Sequence, residues 1–261
     1  HDYPVILGRD AAGIVQEVGT GVDHVQVGDE VFGHVLLAPP IQAGTLAEYA
    51  LLPGAAVALK PAELDFVIAA ALPLAGTAAS AAVDAIDPQP GQTVLVNGAS
   101  GGVGSYVVQL LAALGVTVVA TGTSEDSERL RSLGADTVVD HTASLVADQV
   151  RATYPDGVDA LVNLAGYTAA DVPLDAVRTG GRVSTTTGVP DDETLTARGL
   201  TGTSIIAQPV QEVIARLAEQ VAAGSLTVHV GAVLPLEQAA EGLATIAGGN
   251  AHGKIVVTIS N

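Results

Sequence analysis

Apolar and polar positions alternate with a period of two in the first part of the chain. Short stretches such as AGIVQEVG and VQVGDEVFG lie between glycine and proline turns, up to about residue 60. This pattern predicts several short strands in a β-rich unit, with TLAEYALLP as a further strand that ends at proline. Alanine then dominates from Phe66 to Ile86, which predicts a helix.

Farther along the chain, strand-like and helix-like patterns follow each other in turn. Glycine-marked corners such as SLGAD and RTGGR lead from a helix into the next strand. The predicted strands are Thr93–Asn97, Thr117–Thr121, Thr137–Asp140, Ala160–Leu164, Arg182–Thr186 and Thr203–Ala207. A helix is predicted over Val210–Ala223, and the remaining tail is predicted as strand, helix and strand. The alternation predicts an α/β fold with a Rossmann-type, doubly wound parallel sheet, flanked by β-rich pieces from both chain ends.

A glycine cluster, NGASGGVG at positions 97–104, joins a buried strand to an apolar helix. It keeps the pattern G/A-x-G-x-x-G as Ala99, Gly101 and Gly104. In such a turn the middle glycine lets the backbone approach a pyrophosphate, and the last glycine lets the helix pack close to the sheet. The first amides of the helix face the phosphates. Because the whole strand–turn–helix–strand context is present, we predict a dinucleotide site; the alternative is a tight turn without a ligand.

The end of the second strand of this unit favours NADPH over NADH. NAD-binding units commonly have Asp or Glu there to hold the ribose hydroxyls, but the sequence reads ATGTSED, with Gly122 at the expected acidic position. Thr123 and Ser124 offer hydroxyls to a 2′-phosphate, and Arg129 or Arg131 could supply positive charge. A solvated helix face is an equally good interpretation of each arginine. The acidic pair Glu125 and Asp126 after Ser124 weakens the preference for NADPH.

Composition excludes several classes of protein. The net charge is −18 with only two lysines, so we predict no nucleic-acid partner. No apolar run reaches ~18 residues, so no membrane span is predicted. The 261 residues include no cysteine, which excludes disulfides and cysteine-ligated zinc and fits a cytoplasmic protein. The chain has neither a GxxxxGK[ST] P-loop nor the Tyr-x-x-x-Lys pair of short-chain dehydrogenases.

Seven motifs occur in order over the whole chain: LGRDAAGIV, VGDEVFG, GTLAEYALLP, AAALPLAGTAASA, VLVNGASGGVGSYVVQL, RSLGADTVVDH and HGKIVVTI. With them the sequence resembles the zinc-free branch of the medium-chain dehydrogenase/reductase superfamily, the quinone oxidoreductase (zeta-crystallin-like) group. The resemblance implies a Rossmann NADPH-binding domain over residues 76–207, and a GroES-like catalytic domain over residues 1–75 and 208–261. It also implies NADPH as cofactor and a homodimer joined through the Rossmann sheets. Because the chain opens inside a structured-looking segment and contains no methionine, we expect further residues ahead of His1, which would make the catalytic domain N-terminally incomplete.

The cofactor-binding residues that we predict, from the turn and from the resemblance, follow the ends of successive strands. They are Ser100, Gly101, Gly102, Val103 and Gly104 at the pyrophosphate; Thr123, Ser124 and Arg129 at the 2′-phosphate; His141 at the adenosine; Asn163 and Gly166 at the fourth strand; and Thr186 and Thr187 near the nicotinamide. Asp126 stands where the family often has lysine, and Ala78 where it has the threonine that holds the nicotinamide. The catalytic residues stay unassigned, because the family places an asparagine and often a tyrosine in the part ahead of His1.

His34 follows VFG in the strand that borders the family's active-site cleft, and it could donate a proton or hydrogen bond to the substrate. A partly exposed loop histidine is the favoured interpretation. Gly8, Arg9 and Asp10 stand where the zinc alcohol dehydrogenase branch has Gly-His-Glu, so we expect no metal site, and we expect a structural role for Asp10. Lys254 is expected to form a salt bridge or to be solvated.

Three functions follow. The first is an NADPH-dependent oxidoreductase that transfers hydride to a quinone or activated alkene without zinc. The second is an enoyl-thioester reductase, free-standing or derived from a polyketide synthase, which the same scaffold serves. The third is a non-catalytic nucleotide-binding protein of the same fold, which the alanine at position 78 motivates.

Overall fold

A computed structural model describes residues 4–35, 43–166, 168–187, 191–249 and 251–259 of the chain, without the side chain of Ala169. It consists of two compact units. One contains the chain up to Thr77 and from Ala207 onward, and the other is Ala78–Ile206.

A three-stranded antiparallel sheet forms the first part of the chain. β1 (Asp10–Ile14) pairs with β2 (Glu30–His34), which pairs with β3 (Val57–Leu59). The prediction of a strand over TLAEYALLP is wrong, because this segment forms bends. The amides of Thr45 and Leu46 there donate to the carbonyls of residues 7 and 8 instead of to a neighbouring strand.

Two helices, α1 (Phe66–Ala71) and α2 (Pro73–Ile86), take the place of the single helix that the alanine-rich stretch predicts. Asp65 caps α1, because its carboxylate accepts the amide of Ile68 at 2.7 Å. The break comes at Pro73, which has no amide hydrogen to continue the helical ladder.

Six parallel strands form the sheet of the Ala78–Ile206 unit. The strands are β4 (Thr93–Asn97), β5 (Thr117–Gly122), β6 (Thr137–Asp140), β7 (Val158–Asn163), β8 (Val177–Thr185) and β9 (Thr201–Ser204). Their order across the sheet is β6-β5-β4-β7-β8-β9, which is the doubly wound Rossmann order. The predicted fold class is therefore confirmed. The strand order reverses between β4 and β7, and ligands of such sheets bind outside the carboxyl ends of the strands at this point.

Helices alternate with these strands. They are α3 (Gly104–Ala113), α4 (Ser127–Ser132), α5 (Val146–Thr153) and α6 (Asp192–Ala197). Leu95, Val119, Leu161 and Val183 are lateral neighbours in the ladder and are almost fully buried in one apolar cluster. This continuous apolar row holds the strands at a fixed register, so their polar carboxyl ends meet at one edge.

The tail forms a helix and a small parallel sheet. Its elements are α7 (Gln211–Ala222), β10 (Val230–Pro235), α8 (Ala239–Ala247) and β11 (Lys254–Thr258), and β10 pairs with β11. The predicted helix and the strand–helix–strand order of the tail are confirmed. Within the described ranges, no helix has the length and apolar character needed to cross a membrane.

Candidate functional site

The glycine cluster forms the turn between β4 and α3. Gly98 begins the turn at a φ of +84°, a backbone conformation that residues other than glycine rarely adopt. A Cβ on Gly104 would lie against the carbonyl oxygen of Gly98 and 2.6 Å from the Cα of Ala99. Both obstacles are backbone atoms, so this glycine is required for the helix to start so close to the strand.

Gly101 differs from Gly104, because the fold leaves room beside it. Among the described atoms, only the Gly98 carbonyl oxygen lies within 4 Å of a Cβ built on Gly101, at an ordinary contact distance of 3.4 Å. Packing within the protein therefore gives no reason for glycine at this position. A ligand that lies against the backbone does give one, and the middle glycine of a dinucleotide turn is where the pyrophosphate makes that approach.

Helix α3 begins beside this open surface. Its N-cap is Val103, whose side chain makes no capping hydrogen bond. The first amides of a helix have no intrahelical acceptors and lie at the positive end of the helix dipole. A pyrophosphate fits these donors, and Ser100, Gly101, Gly102 and Val103 are the residues of the turn that would hold it.

At the end of β5, which the sequence assigns to the 2′-phosphate, the polar side chains make hydrogen bonds to one another. Asp126 is only 5% exposed. It accepts the amide and the hydroxyl of Thr123 at 3.1 and 3.0 Å and the Arg129 guanidinium at 2.8 Å. Arg129 also donates to the carbonyl of Ser100 at 3.0 Å, which joins this end of the sheet to the pyrophosphate turn. Ser124 is exposed nearby.

Burial alone would raise the pKa of Asp126, but the hydrogen bonds from Arg129 and Thr123 outweigh it and hold that pKa below its ordinary value. Asp126 is therefore a carboxylate at neutral pH, and Arg129 is already paired with it.

A row of hydrogen-bonded polar side chains crosses the carboxyl ends of four neighbouring strands. Thr121 on β5 donates to Asn97 on β4 at 3.3 Å, and Asn97 donates to Asn163 on β7 at 2.8 Å. Asn163 in turn donates to Thr185 at the end of β8, at 3.3 Å, and to Thr187 just beyond it, at 3.1 Å. Asn163 is fully buried, so its side chain fixes the position of Thr187 rather than presenting its own amide to a ligand.

The other predicted residues lie around this row. Thr186 is half-buried, and its amide donates to the Asn163 carbonyl at 3.2 Å. Gly166 follows β7 at a φ of +83°. His141 follows β6, is exposed, and donates its amide to the Gly122 carbonyl at 3.3 Å. The fold therefore gathers the predicted residues at one edge of the sheet, with His141 at its periphery.

The sequence-based prediction missed three members of the polar row: the side chains of Thr121, Asn97 and Thr185. A signal for them was present, because each is a polar residue at or next to the carboxyl end of a strand. Comparing the last residues of all the strands with one another would have found them.

A second polar cluster lies in the unit that contains both chain ends. Asp10 accepts the amide of Leu74 at 2.7 Å and lies 3.4 Å from the Lys254 ammonium, so the expected structural role of Asp10 and salt bridge of Lys254 are confirmed. The interpretation of His34 as a partly exposed loop residue is wrong: it ends β2 and is 0% exposed. Its register opposite Asp10 in the sheet accounts for that burial.

Four residues of this unit have buried polar side-chain atoms without a partner in the described part of the chain. These atoms are both ring nitrogens of His34, Nε of Arg9, the hydroxyl of Thr77 and Oε1 of Gln220. Burial lowers the pKa of His34; Asp10 opposes this shift and Arg9 adds to it. The imidazole is therefore neutral at pH 7, with one nitrogen able to donate and the other to accept.

Two family models match the sequence. The alcohol dehydrogenase GroES-like domain matches residues 1–62, and the zinc-binding dehydrogenase model matches residues 133–257. A curated relative, the quinone oxidoreductase of Sus scrofa, is 31% identical over 250 residues, which cover 91% of this chain and 74% of the relative. The chain belongs to the quinone oxidoreductase group of the medium-chain dehydrogenases/reductases.

Two further matches agree with this membership. The NADPH-dependent alkenal/one oxidoreductase of Arabidopsis thaliana, a chloroplastic protein, is 37% identical over 190 residues, or 71% of this chain. The match spans about half of that relative, 47% of its length. A solved structure of the quinone oxidoreductase from Coxiella burnetii superposes with a TM-score of 0.89 at 25% identity, covering 99% of this chain and 81% of that one.

One of the matching models is described as zinc-binding, but the described residues of this chain do not fit a zinc ion. The chain has no cysteine, and its described residues contain no group of three or more His, Asp or Glu side chains that could hold a metal. Arg9 and Asp10 stand where the zinc branch has His and Glu, and Asp10 lies 3.4 Å from the Lys254 ammonium. An arginine has no lone pair to offer a metal ion, and a carboxylate that is paired with an ammonium is a weaker ligand than a free one.

Proposed function

We propose that the protein is an NADPH-dependent reductase that transfers hydride to a quinone or to an activated alkene without zinc. The observation that carries the proposal is the space beside Gly101, at the start of helix α3 and at the switch point of the sheet. Membership of the quinone oxidoreductase group supports the reaction type. The Arabidopsis relative, named for NADPH and for alkenals and alkenones, supports the donor and the second substrate class.

When bound, NADPH would supply a hydride, which is a proton together with two electrons, and would be left as NADP⁺. Reduction of the substrate is completed by one further proton from solvent. The protein's part is orientation and electrostatics. The turn from Ser100 to Val103 would bind the pyrophosphate. The Gly101 amide already donates to the Gly98 carbonyl at 3.2 Å, so the amides of Gly102 and Val103 would be the donors. Asn163 holds Thr187 in place at 3.1 Å, and we propose that Thr187 positions the nicotinamide. In this proposal the pyrophosphate turn and Thr187 both lie at the ends of strands of the rigid sheet, which keeps the nicotinamide at a constant position.

We propose that the acceptor receives hydrogen bonds rather than metal coordination. A quinone oxygen, or the carbonyl oxygen of an enone, becomes negative as hydride arrives, and neutral donors are sufficient to stabilise that charge.

We further propose a homodimer that forms along β9 and a cytoplasmic location. β9 is the edge strand of the sheet and all four of its residues are exposed, so its outer backbone groups are open to pairing with another strand. The absence of cysteine agrees with a reducing compartment.

The test is a panel of acceptors with the longest natural form of the protein. The panel contains a naphthoquinone, an alkenal and a crotonyl thioester, and oxidation of NADPH is followed by the loss of its absorbance. Reduction of the quinone or the alkenal supports the proposal, and turnover of the thioester alone would indicate an enoyl-thioester reductase instead. Binding of NADPH without turnover of any acceptor would indicate the non-catalytic alternative, and no binding would refute all three.

A further inference from the structure

The carboxylate of Asp126 stands at the place where NAD-binding units have the acid of their second strand. β5 ends at Gly122, and a Cβ built on Gly122 would be 3.0 Å from the Cβ and 3.5 Å from Oδ2 of Asp126. Cδ1 of Leu130, the nearest atom at 2.7 Å, and the Asp126 side chain together fill the space into which a side chain at position 122 would extend. The position lacks an acid in the sequence, but the folded chain brings one there from four residues farther on.

Asp126 also engages the groups that would otherwise receive a 2′-phosphate. Its Oδ2 takes the amide and the hydroxyl hydrogen of Thr123, and its Oδ1 takes one Nη2 hydrogen of Arg129. The same guanidinium nitrogen is directed to the Ser100 carbonyl. The charge of Arg129 is therefore balanced by Asp126, and its Nη2 is directed to the pyrophosphate turn, while its buried Nη1 has no partner among the described residues. The Thr123 hydroxyl has no hydrogen left for a phosphate oxygen.

Other charged groups at this end of the sheet do not reverse the balance. Asp140 ends β6 opposite Gly122 and accepts the amide and hydroxyl of Thr142 at 2.9 and 2.6 Å. Those hydrogen bonds lower the pKa of Asp140, so it is a carboxylate at neutral pH. Glu125 adds a further acid beside Asp126, while Arg131 donates to Ser127 on its own helix at 3.1 Å. An added phosphate would meet carboxylates as well as the paired Arg129.

We propose that Asp126 limits the preference of this protein for a 2′-phosphorylated cofactor, so that it accepts NADH alongside NADPH. This inference rests on the proposed function, because it concerns the adenosine end of the same dinucleotide. Like charges a few ångströms apart repel, and an arginine that is already paired attracts a phosphate less than a free one. Without the carboxylate, Arg129 and the Thr123 hydroxyl become available to the ribose.

The test is Asp126→Asn, which keeps the size of the side chain and an acceptor for Thr123 but removes the charge. Binding of adenosine 2′,5′-bisphosphate and of AMP is measured by isothermal titration calorimetry. We expect the ratio of the two affinities to shift toward the bisphosphate by roughly tenfold, from the loss of one like charge at close range. The ratio of kcat/KM for NADPH to that for NADH should move in the same direction.

Asp136→Asn is the matched control. Asp136 lies at the opposite end of β5, where it accepts the Val118 amide at 2.8 Å, so this variant changes the net charge equally and makes a similar backbone contact. We expect it to leave the affinity ratio unchanged. Equal ratios in the wild type and in Asp126→Asn would overturn the inference, as would a wild-type preference for NADPH above about a thousandfold.

A second variant decides the matter if Asp126→Asn does not fold. Arg129→Gln leaves the Asp126 carboxylate without its cation, and the affinity ratio should then fall by roughly tenfold or more against the bisphosphate. An unchanged ratio would overturn the inference. Failure of the wild type to bind either nucleotide is a different result, because it removes the proposed function itself and the inference with it.

Discussion

Two glycines of the same turn should respond to alanine in opposite ways. A Cβ at Gly104 would meet backbone atoms of Gly98 and Ala99, the latter at 2.6 Å, which is roughly 1 Å short of ordinary contact. A Cβ at Gly101 would meet a single atom at 3.4 Å, which is ordinary contact. Gly104→Ala therefore tests packing of the helix on the strand, and Gly101→Ala tests whether a ligand lies against the turn.

For Gly104→Ala the helix must move away from the strand. Overpacking of this kind costs about 1–3 kcal/mol, and because the site is the first residue of α3, the helical preference for alanine recovers only part of it. A net loss of about 2 kcal/mol in the free energy of unfolding lowers Tm by about 4–8 °C for a domain of this size. Differential scanning fluorimetry without cofactor measures this shift.

For Gly101→Ala we expect a Tm within about 2 °C of the wild type, because no packing is lost. The affinity for NADPH should fall, because the added methyl occupies the space of the pyrophosphate. A clash of about 1–3 kcal/mol corresponds to roughly 5- to 150-fold in Kd, measured by calorimetry. Undiminished binding by a well-folded Gly101→Ala protein would refute the location of the pyrophosphate at this turn.

Three further outcomes can be checked independently. Asn163→Ala removes the donor to Thr187 and leaves a buried gap in the polar row, so it should cost about 2–4 kcal/mol in urea unfolding and lower kcat/KM even where the protein is folded. Burial holds the pKa of His34 below the ordinary value of a histidine, so the unfolded chain takes up its proton first and the free energy of unfolding falls as the pH drops below about 6.5. His34→Gln should flatten this dependence in urea titrations between about pH 7 and pH 5, and parallel profiles for the two proteins would contradict the prediction. Asp65→Ala removes the cap on the Ile68 amide and should cost about 1 kcal/mol, with Asp65→Asn retaining most of the stability.

The local pattern of the sequence determined the elements with strong periodicity. β4 and β6 have the predicted bounds, and the glycine turn lies where the motif places it, because buried parallel strands are apolar throughout and the turn requires glycine chemically. The alanine-rich helix shows the limit of that reasoning. Its composition predicted one helix, and the proline that divides it was visible but was outweighed by the helical preference of its neighbours.

Tertiary structure decided which polar residues act together. The burial of His34 depends on its register opposite Asp10, a residue far away in sequence, and the row from Thr121 to Thr187 exists only because four strands end at the same level. The acid at the end of β5 was decided in the same way. The sequence shows glycine at position 122, and only the fold of the following turn brings the Asp126 carboxylate back beside it. The physical reason is that periodicity specifies which face of an element a residue occupies, but not which other side chains meet it there.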